Sequence, residues 1–239
     1  MCMDSQLRGK TALVTGATGE IGAAIARRLA AEGATILLGY HTDEEAAASL
    51  AAEIEAAGGS SRPIPTPLDG PVHDLADVDV AVANAVQWPS FEDDRGLMSA
   101  ALATNVAGTL ALLDAVLPGM RGRGWGRIVV ISTDIVVQPM PGGLTYPAVK
   151  GAVEAAARTL AVREARHGVL TNVVRPGFTL SDRARAMAGA VESESARTPT
   201  GRICTPQDVA EVVAFLGSAA HSHVNGETIS VSGGRELTR

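Results

Sequence analysis

Short apolar runs rich in β-branched residues alternate with Ala-rich stretches of helical period from Thr11 to Val231. The runs are Ala12-Leu13-Val14, Thr35 to Leu38, Val78 to Val82, Ile128 to Ile131, Leu170 to Val174 and Thr228 to Val231. Near-continuous apolar strands separated by helices predict an α/β fold with a parallel sheet covered on both faces. A weaker run, Pro63 to Leu68, is interrupted by prolines and is expected at a sheet edge, where a missing N–H is tolerated.

The helices carry their own end signals. Ile21, Ile25 and Leu29 share one face, and Gly33 follows as a stop. Thr42-Asp43-Glu44-Glu45 reads as a capping box opening a helix that ends near Gly58-Gly59. Thr205-Pro206-Gln207-Asp208 opens the last helix, with Pro206 in the first turn where its missing N–H costs nothing. Only nine residues, Gly70 to Val78, separate the expected third and fourth strands. That is too few for a helical crossover, so the usual helix is expected to be missing and that sheet face thinly covered, sealed by a partner subunit or left mobile. With no repeat or linker, residues 1–239 read as one domain.

Composition narrows the partners. The 239 residues are 46% apolar but only 3% aromatic, so the core is built of Ala, Val, Ile and Leu rather than an aromatic-lined module. A net charge of −6 with no basic run argues against nucleic acid. No stretch approaches an uninterrupted membrane span, and the N-terminus lacks a signal-peptide core. Cys2 and Cys204 lie far apart with no metal-ligand spacing. A soluble, cytoplasmic, metal-free protein is expected.

After the first strand comes Thr15-Gly16-Ala17-Thr18-Gly19-Glu20-Ile21-Gly22, running straight into a helix. Glycines here let a pyrophosphate approach backbone N–H groups at the helix start. A glycine triplet alone is a weak signal; placed between strand and helix of the first βαβ unit it is a good one. The second strand ends in Gly39-Tyr40-His41-Thr42, with no carboxylate at its tip for a ribose 2′-hydroxyl. This leans towards NADP(H) over NAD(H), although no arginine stands ready for a 2′-phosphate and Asp43 is close by.

Tyr146-Pro147-Ala148-Val149-Lys150 places a phenol and an ammonium one helical turn apart on one face. An unperturbed phenol is a poor acid or base at neutral pH; a lysine cation beside it is expected to favour the phenolate. With the glycine turn, Asn105-Val106-Ala107-Gly108, Ile131-Ser132-Thr133, Asn172 to Gly177 and Ser232-Gly233-Gly234, the chain from Lys10 to Gly234 resembles the short-chain dehydrogenase/reductase family. It is most similar to its single-domain 3-oxoacyl-acyl-carrier-protein reductases.

The resemblance implies a Rossmann-type, doubly wound parallel sheet of about seven strands. It implies catalytic roles for Asn105, Thr133, Tyr146 and Lys150. Tyr146 would exchange a proton with the substrate oxygen and Lys150 would hold the nicotinamide ribose. Thr133 would stand in for the family serine that polarises the carbonyl, and Asn105 would continue a proton relay to Lys150. A dinucleotide would lie along Gly16, Thr18, Gly19, Ile21, Gly22, Tyr40, His41, Asp69, Asn84, Ala85, Tyr146, Lys150, Pro176, Gly177 and Thr179. Phe178 to Thr200 would form a mobile lid over the substrate.

Three departures qualify the resemblance. Glu20 stands where single-domain relatives usually carry the middle glycine, so its carboxylate is expected to face away from the pyrophosphate. Val86 replaces a glycine that lies against the cofactor. Gln87 to Met98 is shortened, which predicts an open cleft. The implied function is hydride transfer between NAD(P)(H) and a small-molecule or carrier-bound carbonyl or alcohol, in a homodimer or homotetramer with no membrane or nucleic-acid partner. The alternatives are a dehydratase, isomerase or cyclase on the same scaffold, or a cofactor-impaired ligand-binding protein.

Overall fold

The computed structural model describes residues 6–70, 75–88, 95–139 and 141–238. Seven parallel strands form one sheet: β1 (Thr11–Val14), β2 (Thr35–Tyr40), β3 (Ser60–Pro65), β4 (Val80–Ala83), β5 (Gly126–Ile131), β6 (Val169–Pro176) and β7 (Thr228–Val231). Their spatial order is β3-β2-β1-β4-β5-β6-β7. The sheet reverses direction between β1 and β4, and in open α/β sheets ligands bind at that point, beyond the carboxyl ends of the strands.

Alternation along each strand divides the core. Ala12, Val14, Ile36, Leu38, Val80, Val82, Val129 and Ile131 face one side. They pack on α1 (Glu20–Ala31), α2 (Glu44–Ala56) and α8 (Pro206–Gly217). Leu13, Leu37, Ala81, Ile128 and Val130 face the other. That side is covered by α4 (Thr109–Arg123) and α5 (Thr145–Glu164). α3 (Arg95–Leu102) runs into α4 through a π-helical turn, Ala103–Gly108. The continuous helix 95–123 is long and apolar enough to cross a membrane (mean hydropathy 1.6). Its Leu112, Leu113, Val116, Leu117 and Met120 are instead buried against the sheet.

The capping signals resolve unequally. Thr205 and Asp208 form the expected reciprocal box, with Pro206 in the first turn. At α2 the cap is Asp43, not Thr42: its carboxylate accepts the Ala46 N–H at 2.9 Å. β3 is the edge strand its prolines predicted, but it runs from Ser60 to Pro65 rather than to Leu68.

The crossover from β3 to β4 therefore spans fourteen residues, 66–79, not nine. Residues 71–74 lie outside the described chain, and no helix forms among the described remainder. The sheet face is nonetheless sealed, contrary to expectation, because Leu75 (2% exposed) and Val78 (0%) fill it. The crossover backbone lies directly on the α3–α4 helix. A Cβ on Gly108 would come within 1.9 Å of the Leu68 carbonyl oxygen, and one on Gly119 within 1.8 Å of that of Ala76. Arg123 clamps the contact, donating to the Ala76 and Val78 carbonyls at 2.6 Å each. Close backbone packing replaces the missing helix.

Candidate active site

The glycine turn follows β1 because the switch in strand order leaves room beyond its end. Gly22 is forced by contact: a Cβ there would sit 2.2 Å from the Gly16 carbonyl oxygen. Asn84, after β4, pins the turn by donating to the Thr15 and Gly16 carbonyls at 3.0 and 3.1 Å. Thr15 Oγ1 in turn accepts the Asn84 and Ala85 N–H groups. Gly19 begins α1 with no side-chain cap, so the first N–H groups of the helix are not taken up by a capping side chain.

One cleft of about 790 Å³ runs from this turn across the strand ends. Gly16, Thr18, Gly19, Ile21, Gly22, Asn84, Ala85 and Val86 line its middle; Tyr40, His41, Thr66 and Asp69 line one end. Thr133, Tyr146, Lys150, Pro176, Gly177 and Thr179 line the other. At the first end His41 Nε2 lies 3.6 Å from an Asp69 carboxylate oxygen. The cleft thus gathers every sequence-predicted site residue except Asn105.

Asn105 sits behind the wall, in the π-helical turn, 3% exposed. Its amide is consumed by main chain: Oδ1 accepts from Gln87 N at 2.7 Å, and Nδ2 donates to the Gln87 and Ala101 carbonyls at 3.0 and 3.1 Å. A void of about 10 Å³ beside it is lined also by Val86 and Lys150. That is close to the smallest space that holds one water. The direct consequence of Asn105 is to hold the Gln87–Trp88 segment in place.

Tyr146 lies in the first turn of α5 and Lys150 one turn on, as the spacing predicted. The expected effect of the lysine on the phenol is not what the geometry gives. Lys150 is buried and its Nζ donates to the Ile131 carbonyl at 2.9 Å. Burial pushes its ammonium down to about 8. Burial likewise pushes the Tyr146 phenol up to about 12; a hydrogen bond with Thr133 and the Arg183 charge pull the other way, and Asp134 pushes it further up. Ser132, which also lines the cleft, donates its hydroxyl to Glu154 at 2.6 Å.

The segment expected to form a mobile lid contains two short helices, α6 (Asp182–Ala186) and α7 (Ala190–Arg197). Glu20 answers the question its position raised, for its carboxylate accepts the Asp182 N–H at 3.0 Å and pairs with Arg185 at 3.3 Å. The charge is turned to the lid, across the cleft. The Thr179 hydroxyl donates to the Gly177 carbonyl at 2.8 Å, and the Cys204 thiol, pushed up to about 11 mainly by burial, donates to the Thr205 carbonyl at 3.4 Å.

Two residues at the cleft end and one behind it escaped the sequence reading. The Trp88 ring stacks on that of Tyr146, centroids 4.9 Å apart. Arg183 of α6 lies over Trp88, 4.6 Å from its centroid. Asp134 lies behind Thr133 with its carboxylate 3.4 Å from the threonine hydroxyl. One of only two tryptophans in an aromatic-poor chain and an acid following an apolar run were available signals. Neither carries a spacing that names a partner. Gln87 to Met98, expected to be shortened, is described only at its ends, since 89–94 lie outside the described residues. No group of three His, Cys, Asp or Glu among the described residues could hold a metal ion.

A family model described as enoyl-(acyl carrier protein) reductase matches residues 16–236. A short-chain reductase protein, NovJ, of Streptomyces niveus is 34% identical, over 94% of this chain and 93% of the relative. A 3-oxoacyl-[acyl-carrier-protein] reductase, FabG, of Haemophilus influenzae is 31% identical over 97% of this chain and all of the relative. Among solved structures, a gluconate 5-dehydrogenase from Burkholderia cenocepacia in complex with NADP and tartrate superposes with a TM-score of 0.89 at 28% identity, covering 99% of both chains. A 3-oxoacyl (acyl-carrier-protein) reductase from Agrobacterium tumefaciens with NADP bound gives 0.88 at 31%, over 98% of this chain and 97% of that one. Sheet order, cleft and near full-length likeness agree, and the chain is an oxidoreductase of the short-chain dehydrogenase/reductase family.

Proposed function

We propose that the protein transfers hydride between NADP(H) and the carbonyl or alcohol carbon of a small-molecule or carrier-bound substrate, with Tyr146 as the proton donor and acceptor. The observation that carries the reading is the single cleft joining the glycine turn to Thr133, Tyr146 and Lys150. Its shape and donors fit a dinucleotide. The start of α1 has no side-chain cap, and Thr66 Oγ1 at the opposite end is buried without a hydrogen-bond partner. The pyrophosphate would lie on Gly16 to Gly22, and the nicotinamide ribose near Lys150. Bound there, the cofactor supplies the hydride.

The residues do the rest. Tyr146, with its phenol held high by burial, is fully protonated at neutral pH and ready to give its proton to a carbonyl oxygen, which favours reduction. Thr133 offers a hydroxyl to the same oxygen. Trp88 stacks on the Tyr146 ring, and Arg183 lies in turn over Trp88. NADP(H) is favoured because Asp43 caps its own helix rather than reaching the cleft. The relatives solved with NADP support the same choice. A cytoplasmic homodimer or homotetramer is the form we propose.

The test is loss of NADPH absorbance with ethyl acetoacetate, a small 3-oxoester, beside a thermal-shift titration with NADPH and NADH. Stabilisation by NADPH with Tyr146-dependent turnover is expected. Failure of both cofactors to bind at millimolar concentration would overturn the reading and leave a ligand-binding role.

A further inference from the structure

Asp134 has no place in the proton transfer described above, yet it is a buried carboxyl, 9% exposed, one residue from the hydroxyl that faces the substrate. It does not line the cleft. One of its oxygens would lie 3.5 Å from a Cβ on Gly177, so it stands behind the Pro176–Gly177 turn. It contacts the reacting groups only through Thr133.

The hydrogen-bond count at Thr133 Oγ1 makes that contact consequential. A threonine hydroxyl has one proton and two lone pairs. The Ile135 N–H takes one lone pair, at 3.4 Å. One lone pair and one proton remain, and Asp134 Oδ1 lies 3.4 Å away. An ionised carboxylate only accepts. It takes the threonine proton, so Thr133 has none left for a substrate oxygen. A neutral carboxylic acid donates instead. It takes the lone pair, and the threonine proton turns to the substrate oxygen.

We propose that Asp134 is a positioning residue whose protonation state sets the direction of the Thr133 hydroxyl, and so whether that hydroxyl can donate to the substrate oxygen. No covalent bond other than the Asp134 O–H changes; its proton comes from solvent. The inference rests on the Tyr146 reading of the site.

The surroundings place this switch in the working pH range. Burial, the largest effect, raises the Asp134 carboxyl to about 6, and the Thr133 hydrogen bond opposes it. Charged neighbours reach it from every side. Arg235 lowers it, from the turn after β7, while Glu236 of that turn and Glu194 of α7 raise it. Tyr146 of α5 and Cys204, ahead of α8, feel its charge in turn. Arg235 is itself paired with Glu194 at 3.0 Å, so its charge is shared.

Two measurements on the full chain test this. The first needs neither cofactor nor substrate: the backbone amide shift of Ile135, whose N–H donates to Thr133, followed by NMR from pH 4.5 to 8. A midpoint near 6 in the native protein, absent in Asp134→Asn, is expected. A flat Ile135 shift, or a midpoint that survives in Asp134→Asn, overturns the inference. The second is the pH profile of kcat/KM for ethyl acetoacetate reduction by NADPH. The native profile falls roughly fivefold from pH 6 to pH 7. Asp134→Asn, whose amide N–H can replace the acid's O–H, holds a flat profile and at pH 8 equals or exceeds the native rate. A merely structural Asp134 would lower the rate at every pH and leave the limb in place. If the native protein reduces nothing, the hydride-transfer reading falls, and the Ile135 titration still decides the Thr133–Asp134 coupling.

Discussion

The Lys150 ammonium donates to the Ile131 carbonyl at 2.9 Å, buried at the wall of the cleft between α5 and the end of β5. A cation held there with one hydrogen bond is disfavoured against water, which is why its pKa falls from 10.5 to about 8. The unfolded chain therefore holds this proton more tightly than the native one. The penalty is fully present below pH 8 and fades as pH rises towards 10.5. Its size is about 3 kcal/mol.

Lys150→Met removes that penalty and leaves the Ile131 carbonyl unpaired, which costs about 1 kcal/mol. The variant is expected to unfold at higher temperature than the native protein at pH 7, with the gain shrinking above pH 8, and to lose turnover. Calorimetry at pH 7 and pH 10 checks the sign. A destabilised variant at pH 7 would mean that the ammonium is a net stabiliser.

Tyr146→Phe keeps the stacked ring on Trp88 and deletes only the proton donor. Turnover of ethyl acetoacetate should fall by a factor of 10² or more, in the usual range for a general acid, while NADPH still shifts the melting temperature. Near-native turnover would remove Tyr146 from the chemistry.

Glu20→Ala releases α6 from the glycine turn. The pair is exposed, so global stability should change by less than about 1 kcal/mol. Local opening of Ser181 to Met187 should increase, seen as faster cleavage there in limited proteolysis, with the first cut shifted into this segment. Unchanged cleavage would show that Glu20 does not hold the lid.

Gly119→Ala tests the packing of the crossover on α4. Its Cβ would meet the Ala76 carbonyl oxygen at 1.8 Å, backbone on backbone, with no side chain free to yield. A loss of about 3 kcal/mol in urea unfolding is expected, at the upper end for overpacking. Gly122→Ala, one turn away with open space at its Cβ, should be neutral or slightly stabilising.

Period and punctuation made the sheet legible. Strand runs such as Ile128 to Ile131 fall inside their observed elements, and the edge position of β3 follows from its prolines, because main-chain pairing and apolar alternation are local rules. The crossover was misjudged for a definable reason. Proline blurred the end of β3, and the glycines that seat the crossover, Gly108 and Gly119, lie far along the chain from Leu68 and Ala76. No window of sequence joins them.

The order of motifs by itself determined the family resemblance and which residues gather in the cleft, since each lies near the carboxyl end of a strand or in the first turns of the helix that follows one. Only the tertiary structure decided what those residues do to one another. The Lys150 ammonium donates to the Ile131 carbonyl, Asn105 ties down Gln87, and Asp134 meets the Thr133 hydroxyl. Hydrogen-bond direction and desolvation depend on which groups meet, at what distance and how far from water, and spacing along a chain fixes none of these.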